Sequence, residues 1–498
     1  MPSRHPWIVA TVAVILVAVA FVAVVQVRPA YDAYGWLVWG QQAAHLNLDT
    51  QAAPSWKPLT FLFTFPYALV AGRAALWLWM VSVAAAGFAG AVFAGRIAYR
   101  MTAAPSGRRY AAVAAAVFAG AGVLGIEGYW HFILISTADP VAVALSLAAI
   151  DCAMSRRTGW AWVALVLLCL GRPEAWPAAS VYAAWVWRRE PALRKALLAG
   201  FAAIPLLWFG IPALTSNSWM IAGNVLGQST SPLTGNKLAG VMNLFFSLYE
   251  LPMQLAALCG LALAVVLRLR ACLAMAAAAI SWLAVEVAFA YHGWGIAPRY
   301  VFEPAGVMVV LAGAGVGRAL ALDRRSHVGL RWVAAAAVLA LIVMLAPDVR
   351  IRGRLLHNGI VLGRTWARQI QRLQTVVTTD GAERILACGQ PVTEVPYQSI
   401  LAWELHENVI DVGWNPRVWA RLAVPVVLFE PRGAGWQVRP LAGVFPHGPV
   451  AVPPSADRSP ADASIVQGSV QTFFGHRRSF DRVPAGGCRR LFANTAVN

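Results

Sequence analysis

Acidic and basic side chains recur beside long apolar runs in this sequence, although ionisable groups are costly at membrane depth. Two carboxylates, Asp32 and Asp139, and two cations, Lys57 and Arg299, stand in such places. A carboxylate can accept the proton of a hydroxyl group, and lysine or arginine can hold phosphate oxygens. We therefore take the two aspartates as candidate catalytic residues and the two cations as candidate phosphate-binding residues.

The phosphate-binding candidates have further support in the sequence. Lys57 is one of only three lysines, the others being Lys195 and Lys237, so a general solvating role is less expected. Its competing interpretation is an interfacial lysine that reaches toward water. Arg299 closes a segment that starts at His292 and is followed by Tyr300, and this segment adds a second nitrogen base and an aromatic ring to the candidate site.

Each carboxylate also has a structural interpretation. Asp32 could cap the helix that follows it. Asp139, with Pro140 next to it, could do the same. It could instead orient the acceptor, or share a divalent cation such as Mg²⁺ or Mn²⁺ with Asp32. Arg172 and Glu174 either contact a substrate or form a buried structural pair.

The composition indicates that most of the chain lies in a lipid bilayer. Of 498 residues, 59% are hydrophobic and 12% are charged, and the mean hydropathy is +0.61; these values exclude an ordinary soluble domain. The net charge of +18 comes mainly from arginines in short loops, which indicates loops on the cytoplasmic side rather than a nucleic-acid partner. The rich use of alanine and arginine is typical of a GC-rich bacterial genome of the actinobacterial type.

The apolar runs predict an all-α polytopic membrane domain. We predict about eleven spans, at 7–27, 74–95, 110–126, 139–154, 159–171, 175–187, 196–214, 248–267, 272–291, 303–322 and 331–347. Arginine clusters at alternate connections place the N-terminus in the cytoplasm, and an odd number of spans places the C-terminus outside. The membrane domain is then 1–347, with long outer loops at 28–73 and 215–249.

Residues 348–498 are more polar and predict a small extracytoplasmic α/β domain. Strand-like runs occur at 384–388, 424–429 and 436–440, and a helix is indicated at 398–405. Cys388 and Cys488 both fall in this domain. If it is exported, an oxidising compartment favours a disulfide between them.

The order of three short motifs resembles the GT-C membrane glycosyltransferases, and within them the branch of protein O-mannosyltransferases and lipid A aminoarabinose transferases. The motifs are Tyr31-Asp32-Ala33-Tyr34, Trp56-Lys57-Pro58-Leu59 and Ser136-Thr137-Ala138-Asp139-Pro140. The segment Gly171-Arg172-Pro173-Glu174 is similar to a motif between the fifth and sixth spans of these enzymes. The resemblance extends over about the first 200 residues.

The resemblance implies an enzyme of the inner, or plasma, membrane that takes a sugar from a polyprenyl-phosphate donor. The acceptor would be an extracytoplasmic glycan, lipid or protein, Asp32 would be the general base, and the anomeric centre would invert. A membrane transporter or lipid flippase is the first alternative, and a non-catalytic envelope assembly protein is the second. Ionisable residues that gather on one face favour the enzyme over a transporter, whose site lies near the bilayer midplane.

Overall fold

The structure is a computed structural model that describes residues 6–106, 108–227, 233–322, 328–414, 425–433 and 435–441. The chain forms two compact units, Met1–Ala367 and Arg368–Asn498. The sequence places the boundary between membrane domain and tail at 347/348.

Helices form most of the first unit. They are α1 (Pro6–Val25), α2 (Tyr31–Ala44), α3 (Pro58–Ala71), α4 (Ala75–Ser106), α5 (Arg109–Leu124), α6 (Tyr129–Leu134), α7 (Asp139–Met154), α8 (Thr158–Gly171), α9 (Trp176–Arg189), α10 (Arg194–Pro205), α11 (Ile211–Thr215), α12 (Ile221–Gly227), α13 (Lys237–Phe246), α14 (Leu251–Val266), α15 (Arg270–Tyr291), α16 (Phe302–Leu320) and α17 (Val328–Asp380). A π-helical turn, Leu206–Gly210, joins α10 to α11.

A helix covers each of the eleven predicted segments over most of its length, but the count of eleven membrane spans is not confirmed. Within the described residues, six helical segments are long and apolar enough to cross a bilayer, or seven if the bent pair α13 and α14 is one span. Several apolar runs fold into helices of 14 to 16 residues, such as α8 and α5. At 1.5 Å per residue, these are shorter than the hydrocarbon core of a membrane.

The segment 28–73, predicted as a long outer loop, is mostly helical. It contains α2 and α3, and α2 buries a continuous run from Ala33 to Gln42. Aromatic rings account for much of this packing, since Trp36 lies edge-on to Trp79 with centroids 6.0 Å apart, and Trp39 lies 5.0 Å from Trp56. The loop is therefore a packed part of the unit that holds Asp32 and Lys57 at fixed positions.

The central helix of the first unit is α16. Nearly all of its residues from Phe302 to Gly317 are buried, and most are small or β-branched. Small residues let neighbouring helices approach closely in a membrane protein. At Gly260 of α14 an added Cβ would come within 2.2 Å of the backbone oxygen of Leu311 in α16.

This close approach predicts a sharp difference between two helical glycines. We expect Gly260→Ala to destabilise the protein by about 1–3 kcal/mol, because the new methyl group would meet backbone rather than a movable side chain. Gly353→Ala in α17 has no atom within 4 Å of the new Cβ, so alanine's higher helix propensity should leave stability equal or raise it by up to about 1 kcal/mol. Denaturation of the two variants in detergent measures both changes, and equal stabilities would contradict the close packing of α14 on α16.

The second unit contains a three-stranded sheet in the order β1-β2-β3. Its strands are β1 (Gln390–Val392), β2 (Val426–Arg432) and β3 (Gly435–Leu441); β1 pairs with β2 in parallel, and β2 pairs with β3 antiparallel. The helices α18 (Ala382–Cys388) and α19 (Gln398–Leu405) accompany it. The small α/β unit is thus present.

One strand prediction is wrong. Residues 384–388 are helical, as part of α18, and the first strand begins at Gln390. The run Glu383-Arg384-Ile385-Leu386-Ala387 contains good helix formers, and this preference prevails over its apolar content. Cys488 lies outside the described residues, so its disulfide with Cys388 stays a prediction.

Candidate active site

Five elements of the first unit supply the candidate residues. Asp32 is the second residue of α2, Lys57 immediately precedes α3, and Asp139 is the first residue of α7. Arg172 follows α8, and Arg299 lies in the 3₁₀ turn Pro298–Val301 before α16. All five candidates are thus at or next to helix ends.

A buried arginine joins two of these elements to α16. Arg172 donates through Nη2 to Oδ1 of Asp139, and its Nε lies 3.3 Å from Oε1 of Glu303. All three side chains are at most 5% exposed. Arg172 also donates to the backbone oxygen of Arg299 over 3.2 Å, so one guanidinium fixes α7, α16 and the turn before α16 relative to each other.

The second arginine reaches the candidate base. Nη1 of Arg299 lies 3.4 Å from Oδ2 of Asp32, and these side chains are 25% and 29% exposed, respectively. The contact is therefore accessible from outside, in contrast to the Arg172 pair. Neither Asp32 nor Asp139 caps its helix, since the preceding residues Ala30 and Ala138 occupy the cap positions without a side-chain bond.

Lys57 is the third cation of this cluster. Its ammonium lies 5.5 Å from the centre of the Trp36 ring. It interacts electrostatically with Arg172, Asp139, Arg299 and Asp32, yet among the described residues it forms no ion pair. Burial, with a smaller contribution from the guanidinium of Arg172, lowers the pKa of Lys57 to about 8. An anionic ligand would relieve this repulsion between cations.

Aromatic rings support the guanidiniums. The ring centre of Tyr300 lies 4.9 Å from the Cζ of Arg172 and 5.4 Å from that of Arg299. Cation–π contacts of this kind orient arginine without neutralising it. His292, by contrast, is exposed and packs edge-on against Trp294 with centroids 5.1 Å apart; no hydrogen bond or ion pair joins it to the cluster within the described part of the chain.

The structure gives Arg172 other partners than the sequence suggested. Its ion pairs are with Asp139 and Glu303 rather than with Glu174. Glu174 instead interacts electrostatically with Glu286 of α15. Glu303, an acidic residue that opens a long apolar helix, stands out in the sequence, but the sequence assigns it no role in the site.

The proposed pair of metal ligands does not fit a divalent cation in this arrangement. Asp139 is held by Arg172, and Asp32 faces Arg299. Within the described residues, no group of three or more histidine, cysteine, aspartate or glutamate side chains comes together at one point. Hard cations such as Mg²⁺ favour several oxygen ligands without competing cations. The cluster is suited to an anion.

Comparison with known proteins finds only a weak similarity of fold. No family model matches the sequence, and no curated protein matches it. Among solved structures, ArnT from Cupriavidus metallidurans bound to undecaprenyl phosphate is 15% identical with a TM-score of 0.48, and the match covers 90% of this chain and 100% of that chain. The same protein in the apo state is 15% identical with a TM-score of 0.47, covering 86% and 93%. A likeness at this level does not assign a function to this chain.

Proposed function

We propose that this protein is an integral membrane glycosyltransferase that transfers a sugar from a polyprenyl-phosphate donor to an extracytoplasmic glycan, lipid or protein acceptor. In this proposal the protein is a multi-pass protein of the inner, or plasma, membrane. Its N-terminus lies in the cytoplasm, and Asp32, Lys57 and Arg299 lie on the outer side.

The observation that carries the proposal is the environment of Lys57. This half-buried lysine has no ion-pair partner among the described residues, and Arg299 and Asp32 are both in its electrostatic surroundings. A phosphate held by Lys57 and Arg299 would give Lys57 the anionic partner that it lacks among the described residues. The partly exposed carboxylate of Asp32 would then stand beside the anomeric carbon that the phosphate carries.

The chemistry is a single displacement. The acceptor hydroxyl attacks the anomeric carbon, and its proton passes to Asp32 as the new glycosidic bond forms. The bond from the anomeric carbon to the phosphate oxygen breaks, and the electron pair leaves with polyprenyl phosphate. Lys57 and Arg299 stabilise the charge that develops on this leaving group. Attack from the opposite side of the leaving group inverts the anomeric centre.

Transfer itself is the direct test. Membranes that contain the full-length protein would be incubated with polyprenyl phosphates that carry radiolabelled sugars and with bacterial envelope acceptors. Label that moves into a water-soluble or protein-bound product, only when the protein is present, supports the proposal. Label that moves across the bilayer while still attached to its lipid would support a flippase and contradict it.

Donor affinity should depend on pH through Lys57. Its ammonium is charged below a pKa of about 8, so affinity for a non-transferable sugar phosphodiester analogue should be constant below pH 8 and fall by up to about tenfold per pH unit above it.

The free energy of unfolding should not fall over the same pH range. The pKa is lowered in the folded state, so the unfolded chain binds more protons between about 8 and 10.5, and stability rises with pH there.

The variant Lys57→Arg is the matched control, because arginine stays protonated throughout. Its binding should show no decrease between pH 8 and 10, whereas Lys57→Met should bind weakly at every pH. Calorimetric titration of the analogue into purified wild type, Lys57→Arg and Lys57→Met measures the three affinities at each pH. A decrease that persists in Lys57→Arg would assign the titration to another group.

A further inference from the structure

A second charged cavity lies far from the candidate active site. It has a volume of about 810 Å³ and lies where the end of α7 meets α4. Its lining residues are Tyr99, Arg100, Ala103, Met154, Ser155, Arg156 and Arg157. Asp139 begins α7 and Met154 ends it, so about 23 Å of helix separates this cavity from the cluster around Arg172.

The cavity carries an excess of positive charge. Two carboxylates are near it: Asp151 lies 3.5 Å from Arg96 and 3.2 Å from Arg100, and Glu190 accepts a hydrogen bond from Thr158, next to Arg157. Asp151 is the one that pairs with arginine. Asp151 is buried, and its carboxylate forms ion pairs with both Arg96 and Arg100. Arg156 and Arg157 are exposed and form no ion pair with any residue that the structure describes. Two guanidiniums are therefore left to receive an anion.

Trp7 fixes the depth of this cavity in the membrane. The Cζ atoms of Arg96 and Arg157 lie 3.8 and 5.4 Å from the centre of its ring. Trp7 opens the first apolar span, and tryptophan at such a position marks the boundary between hydrocarbon and water. The arginines thus lie at the level of lipid headgroups, on the side that the arginine distribution assigns to the cytoplasm.

An apolar groove begins at the same tryptophan. It lies between α1 and α4, has a volume of about 230 Å³, and is lined by Trp7, Ala10, Thr11, Val14, Ile15, Ala85, Ala86, Ala89, Val92 and Phe93. Trp7 lines this groove and contacts Arg157, which lines the charged cavity. A molecule with a phosphate at one end and an acyl chain at the other matches this arrangement. A free phosphate would occupy the charged cavity and leave the apolar groove without a ligand.

The backbone at Arg156 determines which substitution suits a test of this site. Arg156 has a φ of 55° and follows the end of α7. Its N–H bonds to the oxygen of Ala153, and the N–H of Arg157 bonds to that of Cys152. This is the helix termination in which glycine is preferred, because a side chain is strained there. Arginine occupies a position where glycine would be more stable.

From these observations we propose that the cavity and groove bind an anionic glycerophospholipid, with its phosphate at Arg156 and Arg157 and an acyl chain along α1. This site is independent of the proposed sugar transfer.

The test compares two arginine pairs in the full-length protein. The site variant is Arg156→Gly with Arg157→Gln. The control is Arg268→Gly with Arg270→Gln, because Arg268 has a φ of 51° in the same type of helix end and lies outside both cavities. Glycine should leave thermal stability equal or higher in both variants, so neither result is confounded by misfolding.

Binding of phosphatidylglycerol and phosphatidylcholine would be measured by native mass spectrometry. We expect wild-type protein to prefer phosphatidylglycerol, and the site variant to lose roughly 20- to 30-fold in affinity for it, at about fivefold per arginine. The control pair should lose less than about threefold. Equal losses in the two variants, or no loss in the site variant, would overturn the proposal.

A second arm separates a lipid from a free phosphate. Ala89→Leu fills the groove and should weaken phosphatidylglycerol binding without changing the binding of millimolar glycerol phosphate. If glycerol phosphate binds the wild type as well as the lipid does, and Ala89→Leu changes neither, the ligand is a soluble phosphate and the lipid assignment is wrong.

Discussion

Replacement of Asp32 by asparagine should lower the rate of sugar transfer by roughly 10²- to 10⁴-fold, the contribution expected of a general base. Asparagine occupies nearly the same volume and can still accept a hydrogen bond from Arg299, but it cannot take a proton from the acceptor. Donor affinity should change by less than about threefold. Single-turnover transfer from a labelled polyprenyl-phosphate sugar measures the rate, and titration with a donor analogue measures the affinity.

Asp49→Asn is the matched control for this prediction. Asp49 lies in the same segment 28–73, where its carboxylate accepts a hydrogen bond from the N–H of Gln51 over 2.7 Å, and among the described residues no hydrogen bond or ion pair joins it to the cluster. Its replacement should leave transfer within about threefold of wild type. Full transfer by Asp32→Asn would exclude Asp32 as the base, and equal losses in both variants would indicate a general effect on the loop.

Loss of the guanidinium at position 172 should be the most destabilising single change in the cluster. Arg172→Met leaves Asp139 and Glu303 buried without their cation, and breaking a buried ion pair from one side costs about 3–5 kcal/mol. Chemical denaturation of purified protein in detergent measures the loss. Addition of Asp139→Asn and Glu303→Gln to Arg172→Met should recover most of the stability, because no uncompensated charge is then buried.

A partly exposed ion pair provides the comparison. Nε of Arg352 lies 3.8 Å from Oε2 of Glu127, and these side chains are 16% and 48% exposed, respectively. Arg352→Met should cost no more than about 1 kcal/mol, since solvent screens such a pair. If Arg172→Met is no more destabilising than Arg352→Met, the Arg172 pairs do not hold α7 and α16 in place. A triple variant that is less stable than Arg172→Met would contradict the charge explanation.

These two predictions separate roles that the sequence could only suggest. The residue types and positions alone make both Asp32 and Asp139 catalytic candidates, and only the family resemblance implies Asp32 as the general base. In the structure Asp139 is 2% exposed and held by Arg172, whereas Asp32 is 29% exposed and faces Arg299. This difference in accessibility supports our proposal that Asp32 is the base and that Asp139 positions the elements around it.

Helix positions were predictable because they depend on local patterns. Long, mostly apolar runs identify helices such as α7 and α15, and Pro140 beside Asp139 indicates where α7 begins. The number of membrane crossings was not predictable in the same way. Short helices such as α8 carry the same apolar composition as a full span, so hydropathy alone does not distinguish them.

The sequence by itself determined that this is a helical membrane protein, where its helices lie, and which rare ionisable residues require an explanation. These properties follow from the apolar content and the cost of charge in lipid, which act along the chain. Only the tertiary structure decided the ion-pair partners. Asp32 and Arg299 are 267 positions apart, and Arg172 prefers Asp139 and Glu303 to its near neighbour Glu174. Such choices depend on how helices pack, because a buried charge takes the partner that the folded chain brings within reach.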